Sequence, residues 1–224
     1  DCLLSRGLGD VYKRQMYFGT FKGVRGFGDR ITIPLAQNRS VWEQTNGTRV
    51  VMPYHLDSTQ GNAQRVSGTP HDYVDAQMAW DGGRMNQWPR YKQNQSMGYY
   101  RQKEVEFQFA LAEAFTLCDA YHCSTHGGTN TNRLFHWTGT NDPLAQGNGP
   151  STRNQWDSLG ASTTGWTWTT YPERLQKAGV SWTVYQNLPE NFGDNPLAGF
   201  QQYRRANEQA GNSANGAPYP AWTP

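Results

Sequence analysis

One hydroxyl nucleophile candidate stands in a setting suited to phosphorus chemistry. It is Thr129, in His126-Gly127-Gly128-Thr129-Asn130-Thr131-Asn132-Arg133. Two glycines precede it, and Asn132 and Arg133 follow within one helical turn. If Thr129 opens a helix, the unpaired N–H groups of that first turn point at a bound anion, and the helix dipole favours negative charge there. Glycine lets backbone approach a ligand closely, so Gly128 and Asn130 are substrate-binding candidates through the turn itself. Arg133 carries a guanidinium whose fork matches phosphate oxygens. The same octapeptide is also ordinary turn chemistry, with Thr or Asn as a helix cap, and on these residues alone both readings stay open.

The elements that must position Thr129 can be read outward from it. Cys118 to Cys123 reads as a buried strand, and Leu134-Phe135-His136-Trp137 continues the helix. Val105 to Leu117 reads as the preceding helix. Its recurring Phe107, Leu111, Ala114, Phe115 and Cys118 form an apolar stripe expected to face the core. Helix, strand, turn and helix make α/β order. Upstream, two strand-like runs flank Asn46-Gly47, a strong hairpin signal. Thr69-Pro70-His71-Asp72 reads as a helix start with Thr69 as cap and His71 in the first turn, continuing to Trp80 and stopped by Gly82-Gly83. On its own His71 reads as a solvated or capping histidine. Gln146 to Gly165 is a long loop of the kind that is usually functional or mobile. Glu173 to Ala178 reads as helix with Gly179 as its stop, Val180 to Tyr185 as strand, Leu197 to Asn207 as helix, and 209–224 as loop or disordered.

Composition removes several classes. Twenty basic and 18 acidic residues leave a formal charge of +2, too balanced to argue for nucleic acid. No apolar run approaches the roughly 20 residues that span a bilayer. Low charge with abundant Gly, Asn, Gln, Trp and Tyr suits an exported protein, secreted or periplasmic. Of the three cysteines, Cys118 and Cys123 would lie roughly 16 Å apart along a strand, too far for a disulfide. They are expected to be buried thiols, and their spacing with His122 and His126 fits no standard zinc site.

Motifs along most of the chain resemble the bacterial phospholipase C and acid phosphatase family of the alkaline-phosphatase-like superfamily, in its phosphatidylcholine-hydrolysing type. They are Tyr17-Phe18-Gly19-Thr20, Pro53-Tyr54-His55-Leu56-Asp57, Trp80-Asp81-Gly82-Gly83-Arg84-Met85, the run Phe107 to Ser124, Thr129 with Asn132-Arg133, and Tyr171-Pro172-Glu173-Arg174-Leu175. The resemblance implies a three-layer α/β/α fold. It also implies that Thr129 is the nucleophile, with its oxygen shared with a divalent metal ion, that Asn132 and Arg133 hold phosphate oxygens, and that His71 faces the phosphate. It implies a phospholipid substrate and transient contact with a membrane surface.

The departures are as informative. Relatives carry Glu-Asn-Arg-Ser-Phe-Asp before the Tyr-Phe-Gly, and its Glu and Asn bind metal; Arg14-Gln15-Met16 stands here instead. A later Asp-rich metal motif has no counterpart. The chain therefore reads as an internal fragment with an incomplete sheet: 1–15 as a non-native, adapter-derived arm and 16–224 as part of a catalytic domain, inactive alone. Nine Trp and 12 Tyr could wall a choline pocket, with Trp80, Trp88, Trp137, Trp166 and Trp168 as candidates. The rivals are an acid-phosphatase-type phosphomonoesterase and a secreted carbohydrate-binding module; the latter requires an exposed flat row of Trp.

Overall fold

The computed structural model describes residues 15–28, 32–63, 65–119, 122–185 and 195–209. The expected 1–15 arm, save Gln15, and the 210–224 part of the expected C-terminal loop lie outside the described residues. The chain divides into two compact units, Asp1–Gly127 and Gly128–Pro224.

The first unit holds three two-stranded sheets among its described residues. β1 (Pro34–Leu35) pairs antiparallel with β2 (Arg39–Ser40), and β3 (Gln44–Thr45) antiparallel with β4 (Val50–Val51). β5 (Tyr54–His55) pairs in parallel with β6 (Gly98–Tyr99). The Asn46-Gly47 signal gives the β3–β4 turn. Asn46 Oδ1 accepts from the amides of Thr48 and Arg49, both at 3.0 Å, and Gly47 takes φ +100°, a region closed to most side chains.

α1 (Tyr73–Trp80) starts one turn later than the sequence suggests. Asp72 and Asp75 form a reciprocal capping box, which outcompetes Thr69, so His71 lies before the helix and not in its first turn. α1 ends at left-handed Asp81, followed by positive-φ Gly82 and Gly83. With α2 (Trp88–Lys92) it encloses a core of Val51, Ala76, Ala79, Trp88 and Met97.

α3 (Glu106–Ala114) corrects an expectation. Its stripe faces outward: Phe107 is 70% exposed, Leu111 42% and Phe115 74%. The buried residue is Phe109, whose ring lies 5.8 Å from Phe18 and 5.1 Å from Phe21. Helical spacing shows that a stripe exists; it does not show which face meets the core. The strand expected over 118–123 is also absent from its described residues, 118, 119, 122 and 123. Cys118 is exposed rather than buried, Cys123 is half-buried, and neither is in a disulfide.

In the second unit, α4 (Thr129–Thr138), α5 (Tyr171–Lys177) and α6 (Gln201–Gln209) surround Leu134, Trp166, Leu197, Phe200 and Tyr203. Thr170 and Glu173 form the capping box of α5, and Gly179 follows it at φ +71°. The strand expected over 180–185 does not form. A 3-10 turn, Pro196–Gly199, precedes α6 in place of one continuous helix. The 146–165 loop is tightly bonded. Asp142 accepts from the amides of Gln146, Gly147 and Gly149 at 2.7–3.0 Å. Arg204, 2% exposed, donates to the carbonyls of Ser158, Thr164 and Ala198 at 2.6–2.9 Å. Helices with small parallel and antiparallel sheets are consistent with an α/β class. No described helix is long and apolar enough to cross a membrane.

Candidate phosphoryl-binding site

Thr129 opens α4, as its spacing suggested. Gly128 is the N-cap, with φ −76° and ψ 175°. That is ordinary extended backbone, so the glycine is not there to enable a left-handed turn. Its contribution is the missing side chain: nothing at the cap position folds over the first-turn amides. The turn carries no acidic residue either, so an anion arriving there meets no like charge from the turn itself.

The first-turn donors are largely open. The amides of Thr129 and Thr131 have no partner among the described residues, and the Asn132 amide reaches Gly128 O at 3.4 Å. The Asn130 amide donates to Asn154 Oδ1 at 3.3 Å. Thr129 is neither buried nor fully exposed, and its hydroxyl makes no hydrogen bond among the described residues. A hydroxyl without a structural task, beside open N–H groups, is what an anion-binding nucleophile site requires.

The turn is held from its inner side. Asn130, 1% exposed, donates through Nδ2 to Gln155 O at 2.9 Å. Thr131, 2% exposed, donates its hydroxyl to Ser151 O at 3.0 Å. Ser151 is fastened in turn by Asn141, whose Nδ2 reaches Ser151 O at 2.8 Å and whose Oδ1 accepts the Ser151 amide at 3.0 Å. One turn on, Leu134 is fully buried against the aromatic cluster. The 151–155 segment and Leu134 together fix where Thr129 sits. Sequence reasoning missed Asn141, Ser151 and Asn154, because Asn and Ser in a polar loop are ordinary turn formers with no local mark of what they hold.

The remaining expected residues fall as follows. Asn132 is buried, and its Nδ2 donates to Gly128 O at 3.1 Å, bracing the cap. Arg133 is half-buried one turn into α4. Gly128 is buried at the cap. His71 belongs to the other unit and is exposed. Its Nδ1 donates to Thr69 O at 2.9 Å, since a carbonyl only accepts. Beside it, the Lys92 ammonium donates to Pro70 O at 2.8 Å and pairs with Asp75. Of the tryptophans, Trp88 and Trp166 are core residues at 5% and 0% exposure, and Trp80 stacks on His126 at 5.4 Å. Trp137 and Trp168 are half-buried against the Leu134–Trp166 cluster. None of these five is exposed, whereas a carbohydrate-binding module requires an exposed flat row.

The divalent ion implied by the resemblance needs carboxylate or imidazole ligands. Among the described residues no group of three or more His, Cys, Asp or Glu could hold a metal ion. Thr129 has only hydroxyl and amide neighbours in its own turn. The described residues do not by themselves fit the ion.

Comparison with known proteins agrees with the motifs. Over 190 residues the chain is 60% identical to a non-hemolytic phospholipase C of Pseudomonas aeruginosa, covering 85% of this chain and 28% of that protein. It is 37% identical over 209 residues to a non-hemolytic phospholipase C of Burkholderia pseudomallei, covering 85% and 29%. A phospholipase C B of Mycobacterium tuberculosis is 31% identical over 200 residues, covering 82% and 38%. The chain thus spans under two fifths of the length of these relatives. A family model described as "Phosphoesterase family" matches residues 14–218, a span that takes in the Thr129 turn and both compact units, and the chain belongs to that family.

Proposed function

We propose that this chain is part of a phospholipase C that hydrolyses phosphatidylcholine to diacylglycerol and phosphocholine, with Thr129 as nucleophile. The observation that carries the reading is the unengaged Thr129 hydroxyl at an α4 N-terminus with open amides. The 60% identity to a protein named non-hemolytic phospholipase C supports the reaction class. We also propose the three-layer α/β/α architecture for the whole protein, export to the periplasm or medium, and transient contact with a lipid surface.

In the first step, Thr129 Oγ1 bonds to phosphorus as the bond from phosphorus to the diacylglycerol oxygen breaks. The hydroxyl proton ends on that leaving oxygen. Water then attacks the phosphocholine-threonine ester, releases phosphocholine and restores the hydroxyl. The two steps are easier than one direct displacement. This chain contributes positioning and charge stabilisation, the main levers for phosphoryl transfer. First-turn amides and the α4 dipole receive the phosphoryl oxygens, and Arg133 supplies charge one turn behind. Asn132 braces the cap through Gly128 O. Family likeness alone proposes His71 as a phosphate-facing histidine. A bound divalent ion would supply further charge neutralisation.

Turnover of phosphatidylcholine and of a simple aryl phosphate monoester, by the protein carrying this chain, tests the reading. We expect the diester to be strongly preferred, and Thr129→Ala to lower its turnover by at least about a thousandfold. Preference for the monoester would replace the reading with a phosphomonoesterase. Full activity in Thr129→Ala would end both.

A further inference from the structure

Lys92 is a buried charge with no part in the chemistry described so far. It is the last residue of α2 and 4% exposed. Burial holds its amine below the usual lysine range, with Asp75 opposing that shift. Burying an ammonium costs free energy that an apolar side chain in its place would not.

Its two partners bracket one residue. Lys92 Nζ donates to Pro70 O at 2.8 Å and pairs with the Asp75 carboxylate. The other oxygen of that carboxylate, Asp75 Oδ1, accepts the Asp72 amide at 2.9 Å. The ammonium is thus tied directly to the residue before His71, and through Asp75 to the residue after it. Residues 66–71 have no regular structure, and Pro70, His71 and Asp72 are exposed. Water can satisfy a carbonyl in such a stretch, so a buried ammonium there selects one course of the chain rather than meeting a need for solvation. The ring of Pro70 fixes its φ, so anchoring Pro70 O also limits where the Thr69 carbonyl can point. That carbonyl accepts from His71 Nδ1 at 2.9 Å. With the proton on Nδ1, Nε2 is the atom left to His71 for chemistry.

We propose that Lys92 is a positioning residue for His71. It holds the Thr69–Asp72 stretch so that the Thr69 carbonyl keeps a proton on Nδ1 and the imidazole in one place. The inference rests on the proposed role of His71 at the phosphate, and adds to it the group that sets the ring's tautomer.

The protein carrying this chain, labelled with 15N-histidine, tests it, with the His71 signals assigned from His71→Ala. At about pH 8.5, where a histidine is ordinarily neutral, the ring should show the Nδ1–H form. In Lys92→Met the two tautomers should mix. Lys92→Arg keeps donors for both the carbonyl and the carboxylate and should restore the Nδ1–H form. Lys92→Met strands the Asp75 carboxylate, so Lys92→Met combined with Asp75→Asn, which keeps an acceptor for the Asp72 amide, is read beside it and should show the same mixing. In phosphatidylcholine turnover, His71→Ala should cost at least roughly a hundredfold. Lys92→Met should lower kcat roughly tenfold alone and no further in the His71→Ala background. A contact that only stabilised the fold would lower the unfolding midpoint and leave the tautomer unmoved. If folded Lys92→Met keeps the wild-type ring signals, or if its loss multiplies with that of His71→Ala, the proposal is overturned and the His71 reading survives. If His71→Ala turns over as wild type does, both fall.

Discussion

Leu134 is the side chain through which α4 is anchored, and its truncation gives a quantitative test of how the Thr129 turn is held. It is 0% exposed and sits with Trp166, Leu197, Phe200 and Tyr203, three of them aromatic. Leu134→Ala removes the transfer free energy of the lost carbons and leaves a cavity that bulky rings cannot readily close. Such changes cost about 3 kcal/mol, within a range of roughly 2–5. With a urea slope of roughly 2 kcal/mol/M, the midpoint should fall by about 1.5 M. Phe107→Ala is the paired control. Periodicity alone puts Phe107 in the core, where truncation would cost about 3–5 kcal/mol. At 70% exposure it should cost no more than about 0.5. Tryptophan fluorescence during urea unfolding reports both, with Trp166 beside Leu134 as a local probe. A Leu134→Ala cost under about 1 kcal/mol, or a Phe107→Ala cost above about 2, would refute the account of burial.

Other substitutions separate structure from chemistry. Thr129→Ala and Thr129→Ser should leave thermal stability within about 0.5 kcal/mol of wild type, because the hydroxyl makes no hydrogen bond among the described residues; a melting curve checks this. Gly199→Ala should destabilise by at least about 2 kcal/mol in chemical denaturation, since its Cβ would run into the Trp166 ring and approach Trp156 O at 2.7 Å. Glu104 predicts a pH effect. Burial raises its carboxyl, but hydrogen bonds from His55 at 3.0 Å and the Arg101 amide at 2.9 Å, with Lys103 nearby, hold it below its usual value overall. A lowered folded-state value contributes stability above the usual carboxylate range, lost as pH falls through and below that range. Unfolding of Glu104→Gln followed from neutral to acid pH should therefore show a flatter loss than wild type; an unchanged slope would remove Glu104 as its source.

The parts legible in the sequence were those decided by a few neighbouring residues. Asn46-Gly47 makes its turn because its side chain and its φ act within four residues. The Tyr171–Lys177 helix is set by Thr170, Pro172 and Glu173, and α4 by the Gly128-Thr129 junction. What depended on distant partners was not legible. The 118–123 and 180–185 runs have strand-like composition, but a strand exists only where another segment pairs with it. The Phe107-Leu111-Phe115 stripe has helical spacing and the wrong face, because Phe18 and Phe21 meet α3 from the side of Phe109. At Thr69-Pro70-His71-Asp72 two caps competed, and the reciprocal Asp72–Asp75 pair won over a lone hydroxyl. At the candidate site, the helix start at Thr129 was visible from type and spacing. The Asn154, Ser151 and Asn141 contacts were not, since they join residues 10–24 positions apart through side chains common to any polar loop.

Trapping the covalent intermediate tests the central claim most directly. The protein carrying this chain would be mixed with phosphatidylcholine, quenched in acid within the first turnovers, digested and mapped by mass spectrometry. A phosphocholine ester on Thr129 is the predicted result, absent from Thr129→Ala. An adduct on any other residue, or steady hydrolysis by Thr129→Ala, would contradict it.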